Sequence, residues 1–266
     1  MMHRIQVDDE TELQVEDVGE GRPIVFIHGW PLSHELFKWQ KEELSQKGYR
    51  FIGIDLRGYG KSDKPEQKYT YDVFARDVQT VIHNLELEDY YLAGFSMGGP
   101  IAIHYAVHYA DRELKQLILL GPAAPSFTRR QGYDLGMEKE DVTELMEAVE
   151  EDQKAALEDF GTNFFATDVP EDVSDMLLRM GMEASVQATV SSAKELRDAD
   201  LREDSGHVQV PTLIMHGKQD AICDYAFSET LRATIPDAEL IPFEHSGHGL
   251  VYEEYKKVNE ELLRIL

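Results

Sequence analysis

The chain has 266 residues, 42% of them hydrophobic and 9% aromatic, an ordinary globular balance that argues against large-scale disorder and suffices for one sizeable core with an insertion. Acidic residues outnumber basic ones 51 to 26, giving a formal charge of -25 that would repel nucleic-acid phosphates and anionic membrane faces and otherwise serves solubility. The single cysteine, Cys223, cannot form an intramolecular disulfide, no apolar run reaches the roughly 18 residues of a membrane span, and the opening Met1-Met2-His3-Arg4 stretch lacks a signal-peptide pattern. The expectation is a soluble cytoplasmic protein with no nucleic-acid or membrane partner; homo-oligomerisation is left open.

The first segment alternates, with Ile5 and Val7 before a polar turn at Asp8 to Glu10 and Leu13, Val15 and Val18 after it, which predicts a two-stranded hairpin at a sheet edge. Short continuous apolar runs follow at 24–27, 51–54, 90–95, 117–120 and 212–215, the pattern of strands covered on both faces in a parallel sheet. Amphipathic, helix-length pieces fall at roughly 34–47, 71–86, 97–110, 224–234 and 250–265, and their alternation with the strands predicts an open, doubly wound α/β sheet. Residues 122–206 break the alternation. They hold no convincing strand but at least four helical patterns, among them Val142, Leu145, Met146 and Val149, then Val173, Met176, Leu177 and Met180. The expected organisation is a core of residues 1–121 and 207–266 with a helical cap, 122–206, lying over the strand ends where such folds place their ligands. The acidic run Glu150-Glu151-Asp152 reads as a solvated helix face.

Gly94-Phe95-Ser96-Met97-Gly98 fits G-x-S-x-G, a sharp strand-to-helix turn that exposes a serine hydroxyl. The pattern alone is weak, but here it follows an apolar strand and opens a helix with Pro100 in its first turn, where a missing N–H costs nothing. The start of that helix aims free N–H groups at the space beside Ser96, so the Met97 N–H is one expected oxyanion donor. The loop after the earlier strand, His28-Gly29-Trp30-Pro31, supplies the other through the Trp30 N–H, since Pro31 has none. His28 sits before the turn and reads as a structural, hydrogen-bonded histidine.

A serine hydroxyl needs a base, and the base needs a carboxylate, in the chain order Ser, acid, His. His216-Gly217-Lys218-Gln219-Asp220 and Glu244-His245-Ser246-Gly247-His248-Gly249 each follow a strand. Position alone separates neither Asp220 from Asp224 nor His248 from His245. Asp220 lies nearer its strand end, and Gly247 and Gly249 would free the His248 loop to reach inward. His104 and His108 have a spacing that can bind zinc, but no H-E-x-x-H pattern accompanies it and they lie on the helix after the elbow, expected to be buried, so packing is the expected role. Asp55-Leu56-Arg57-Gly58-Tyr59-Gly60 lacks the G-x-G-x-x-G spacing of a phosphate loop and reads as a structural turn.

With these motifs in order, the chain resembles the α/β-hydrolase superfamily over nearly its whole length, and within it the branch of cofactor-free haloperoxidases, or perhydrolases, and related aryl esterases. The resemblance rests on 26–31, 55–62, 94–99 and the Asp220 and His248 loops. It implies a mostly parallel eight-stranded sheet with helices on both faces and an inserted helical cap, Ser96, Asp220 and His248 as the triad, Trp30 and Met97 as the oxyanion hole, and no metal, haem or other cofactor. It further implies an acyl-enzyme formed from a small-molecule ester or acyl substrate and attacked by water or by hydrogen peroxide, the latter giving a peracid. Pro31 resembles the perhydrolase members. A serine at the elbow, rather than an aspartate, sets the chain apart from the haloalkane dehalogenases and epoxide hydrolases of this fold. The expected function is cleavage of a carboxylic ester, with perhydrolysis as one alternative and a non-catalytic ligand-binding protein on the same scaffold as another. Phe127, Phe160, Phe164, Phe165, Met176 and Met180 are the expected lining of a small to medium apolar acyl pocket.

Overall fold

A computed structural model of the chain describes residues 1–66 and 69–266. Eight strands form one sheet in the order β1-β2-β4-β3-β5-β6-β7-β8. The hairpin is β1 (Met2–Asp8) and β2 (Thr11–Val18), antiparallel to each other, and β2 pairs antiparallel with β4 (Tyr49–Ile54). From β4 onward every pairing is parallel, through β3 (Arg22–Ile27), β5 (Tyr90–Phe95), β6 (Leu114–Leu120), β7 (Thr212–Gly217) and β8 (Ala238–Phe243). The continuous apolar runs become these strands because both sheet faces are covered. Along β3, Val25 and Ile27 point into one core, and Ile24 and Phe26 into the other.

Helices α1 (Lys38–Gln46), α2 (Tyr71–Asn84), α3 (Gly98–His108), α8 (Tyr225–Thr234), α9 (Leu250–Glu253) and α10 (Tyr255–Ile265) alternate with the strands, while α4 (Lys139–Gly161), α5 (Glu171–Glu183), α6 (Val186–Asp198) and α7 (Arg202–Ser205) all fall between β6 and β7. Three expectations change. The predicted last helix is two, broken at Glu254, whose carboxylate turns to accept from the Ser246 hydroxyl at 2.7 Å. The acidic run in α4 is exposed, yet Asp152 leaves helical geometry (φ -151°, ψ 92°) and its carboxylate accepts from Ala155 N at 3.1 Å, so it restarts the helix rather than decorating a face. On α3, His104 is only half-buried and His108 is exposed, so core packing does not account for them. Among the described residues, no helix is long and apolar enough to cross a membrane.

The turn after β4 is structural, as expected. Asp55 accepts from the His34 and Lys61 amides at 3.0 and 2.9 Å, and the Arg57 guanidinium makes a bidentate pair with Asp77 at 2.6 and 2.7 Å. Both members of that pair are almost fully buried, and Arg57 also reaches Asp8 at 3.0 Å. Removing one partner of a buried pair leaves the other charge uncompensated, so Asp77→Ala is expected to lower unfolding stability by about 3–5 kcal/mol in urea titrations. A loss under about 1 kcal/mol would mean that Asp8 alone satisfies Arg57.

Candidate active site

The elbow between β5 and α3 holds Ser96 at φ 51°, a left-handed conformation that costs a residue with a side chain energy and persists only where its surroundings enforce it. The enforcement is visible on both sides. Ser96 N donates to Leu120 O at 2.9 Å, and Ser96 O accepts from Gly99 N and Ala123 N at 2.9 and 3.0 Å. The two motif glycines are there for close approach: a Cβ on Gly94 would lie 2.1 Å from Gly98 O, and one on Gly98 would lie 2.3 Å from Ile27 O. The turn therefore packs directly on the end of β3, which brings Trp30 beside Ser96 in a shared cavity.

His248 and Asp220 stand in the loops after β8 and β7. His248 Nδ1 donates to Asp220 Oδ2 at 2.7 Å, and the imidazole packs on Phe95, next to the serine, with ring centroids 4.9 Å apart. The other carboxylate oxygen, Oδ1, accepts from the Ile222 and Cys223 amides, both at 2.8 Å. Burial opposes the Asp220 charge, but the His248 and His216 imidazoles beside it outweigh that opposition and hold the carboxyl well below its usual range. Among the described residues no hydrogen bond joins the Ser96 hydroxyl to His248, a bond that in such sites often tightens only around substrate. Burial pushes the nearby Cys223 thiol well above its ordinary pKa, keeping it protonated and unreactive.

The alternatives that position left open, Asp224 and His245, stand outside the Asp220–His248 couple. Asp224 caps α8, accepting from Ala226 N at 2.9 Å, and His245 is exposed. His28 is fully buried: its Nε2 accepts from Leu56 N at 3.1 Å and its Nδ1 donates to Gly29 O at 2.9 Å, and burial lowers its pKa to about 4, so it is a neutral structural histidine.

Sequence reasoning missed three supports. His216, the penultimate residue of β7, donates from Nε2 toward Asp220 Oδ2 at 3.1 Å and Cys223 O at 2.9 Å, while its Nδ1 accepts from Ser228 Oγ at 2.6 Å, so it braces the same carboxylate that holds His248. The only available signal was its place at a strand end. Glu253 accepts from Gly247 N and Ala166 N, each at 2.8 Å, tying the His248 loop to the segment after α4. Gly249 N donates to Phe164 O at 2.8 Å, completing that tie. The glycines flanking His248 are accordingly not there for loop freedom. A Cβ on Gly247 would meet Ala166 N at 2.7 Å, and one on Gly249 would meet the Phe165 ring at 2.4 Å.

The space beside Ser96 is a cavity of about 20 Å³, room for roughly one water, walled by Trp30, Phe127, Phe160 and Ile222 among others. The Trp30 indole donates to Thr189 O at 2.8 Å and meets Phe160 edge-on at 4.9 Å between ring centroids. Phe160 also lines a larger, mostly apolar cavity of about 340 Å³ with Pro31, Phe164 and Phe165. Met176 and Met180, expected in the pocket, line neither cavity. Met180 is fully buried, and both pack into the core on one side of the sheet.

The strained serine turn, the carboxylate–imidazole couple at the strand ends and the sheet order define an α/β-hydrolase. A family model described as the alpha/beta hydrolase fold matches residues 22–255, and the chain belongs to that family. It is 47% identical over 259 residues to the AB hydrolase superfamily protein YisY of Bacillus subtilis, covering 97% of each chain. It is 31% identical to a non-heme haloperoxidase of Rhodococcus erythropolis, covering 98% of each. The solved esterase EaEST of Exiguobacterium antarcticum superposes with a TM-score of 0.98 at 43% identity, covering 100% of this chain and 99% of that one.

Proposed function

We propose that the protein is a serine esterase in which Ser96 is the nucleophile, His248 the general base, Asp220 its orienting acid and the Trp30 and Met97 amides the oxyanion donors. The observation that carries this reading is the strained Ser96 turn (φ 51°) with the hydrogen-bonded His248–Asp220 couple packed beside it. Ser96 Oγ attacks the ester carbonyl as His248 takes its proton; collapse of the tetrahedral intermediate returns that proton to the leaving alcohol, and water then cleaves the acyl-enzyme by the same route. The Asp220 charge fixes the His248 tautomer with Nδ1–H toward the carboxylate and Nε2 free to accept, and it stabilises the imidazolium. Residues 122–206 act as the cap, and Phe160, shared by the two cavities, sets the acyl length the site accepts.

The test is a series of p-nitrophenyl esters from acetyl to octanoyl. Wild type should favour the short acyl groups, and Phe160→Ala, by joining the cavities, should shift the octanoyl-to-acetyl ratio of kcat/KM upward by about 10-fold. An unchanged ratio would take Phe160 out of substrate selection.

A second reading keeps the same residues and makes hydrogen peroxide the acceptor. Pro31, next to the Trp30 donor and lining the larger cavity, supports it, as does the relative named a haloperoxidase. Peracid formation from acetate and peroxide, read by monochlorodimedone bromination, would establish it; no signal at any acetate concentration would remove it. A ligand-binding protein without turnover would instead bind small esters tightly and release no alcohol.

A further inference from the structure

The proposed esterase chemistry uses neither histidine on α3, yet both converge on one carboxylate. His104 Nδ1 lies 3.3 Å from Asp204 Oδ2 on α7, and His108 Nε2, one helical turn on, lies 3.1 Å from the same oxygen. The two imidazoles are 4.3 Å apart between ring centroids, and the three potential ligand atoms all lie within 4.8 Å of one another. We propose that His104, His108 and Asp204 bind a divalent transition-metal ion of the zinc class that fastens α7 to α3.

Donor atoms about 2.0–2.1 Å from a tetrahedral ion stand roughly 3.3 Å apart, so both histidine-to-carboxylate separations already suit a shared ion. Two imidazoles and one carboxylate select zinc, nickel or copper over magnesium or calcium, which require more oxygen ligands. The surroundings are built for a cation. Among the described residues His104 Nε2 is buried without a hydrogen-bond partner, and Asp72 Oδ1 stands 3.5 Å from it. A metal on Nδ1 moves the imidazole proton to Nε2, where it faces Asp72, the outer carboxylate that commonly orients a ligating histidine. Asp72 is itself held by Arg76 at 2.9 Å and by the Tyr109 hydroxyl. His108 ends α3, where the helix dipole favours positive charge, and its exposure leaves an entry path and a fourth position for water. In the bound form each imidazole presents an unprotonated nitrogen to the ion, His104 Nδ1 and His108 Nε2, and carries its proton on the other ring nitrogen.

The role is mechanical. Helix α7 lies where the chain returns from α4–α6 to β7, and α3 carries the elbow at its start, so the ion fixes that return against the core. His108 is ten residues beyond Gly98, about 15 Å along the helix, too far to touch the reacting atoms.

The test uses the tag-free chain stripped with chelator, titrated with zinc chloride by calorimetry and melted with and without zinc. One zinc per chain with micromolar affinity is expected, with a Tm rise of about 5 °C or more at zinc a hundredfold above Kd and no comparable rise with magnesium. His108→Ala, at an exposed position, should weaken binding at least about 10-fold and abolish the rise while leaving the metal-free Tm and ester turnover unchanged. Asp204→Asn should do the same to zinc binding. Zinc binding that survives both substitutions, an equal shift with magnesium, no binding in the wild type, or loss of turnover at one zinc per chain, which would place the ion on His216, Asp220 and His248, would each overturn the proposal.

Discussion

Ser96→Ala is expected to lower kcat/KM for p-nitrophenyl acetate by about 10⁴-fold or more, because without the hydroxyl no acyl-enzyme forms and only the oxyanion donors and binding remain. The Tm should stay close to wild type. The alanine keeps the backbone hydrogen bonds that hold the turn, from Ser96 N to Leu120 O and from Gly99 N and Ala123 N to Ser96 O. A steady-state assay beside a thermal melt separates the two quantities. A fall in both would report a broken elbow rather than a missing nucleophile, and equal rates would remove Ser96 from the reaction.

Asp220→Asn should cost a comparable amount, about 10⁴-fold in kcat, for a different reason. The substitution preserves shape but presents an amide to His248 Nδ1, 2.7 Å away, and an NH₂ there forces the wrong tautomer. It also gives His216 and the Ile222 and Cys223 amides a weaker acceptor, so stability should drop with activity. That loss carries a pH signature. Because the folded carboxyl is held below its ordinary pKa, its contribution is complete above the unfolded value of about 3.9 and is lost as pH falls through the folded one. The Tm difference between wild type and Asp220→Asn should therefore be full at pH 6 and narrow below about pH 4. A constant difference would mean that the carboxylate charge is not what the fold uses.

Much of this was legible before any coordinates because its causes are local. The short apolar runs at 51–54 and 90–95 suit strands covered on both faces, and the G-x-S-x-G glycines announce a turn packed against another chain segment. The loops after β7 and β8 were placed by chain order, and the structure puts Asp220 and His248 in contact there. What failed depended on partners distant in sequence. Gly247 and Gly249 read as flexible because nothing in the sequence shows Phe164 to Ala166 lying against them. His216 carried no pattern, since its meaning comes from a carboxylate that folds back over the strand end. Met176 and Met180 obey a helical period, but periodicity marks a buried face without saying what that face meets, and here it meets the core rather than the cavity beside Ser96. His104 and His108 were assigned to packing for the same reason: Asp204 lies 96 residues beyond His108.

The central claim, that Ser96 is the activated nucleophile, is tested most directly by covalent trapping. Incubation with a fluorophosphonate, followed by intact-mass analysis and peptide mapping, should show one adduct per chain, located on the peptide holding Gly94-Phe95-Ser96-Met97-Gly98, with formation greatly slowed in Asp220→Asn. An adduct on any other residue, or none under conditions where ester turnover is abolished, would contradict it.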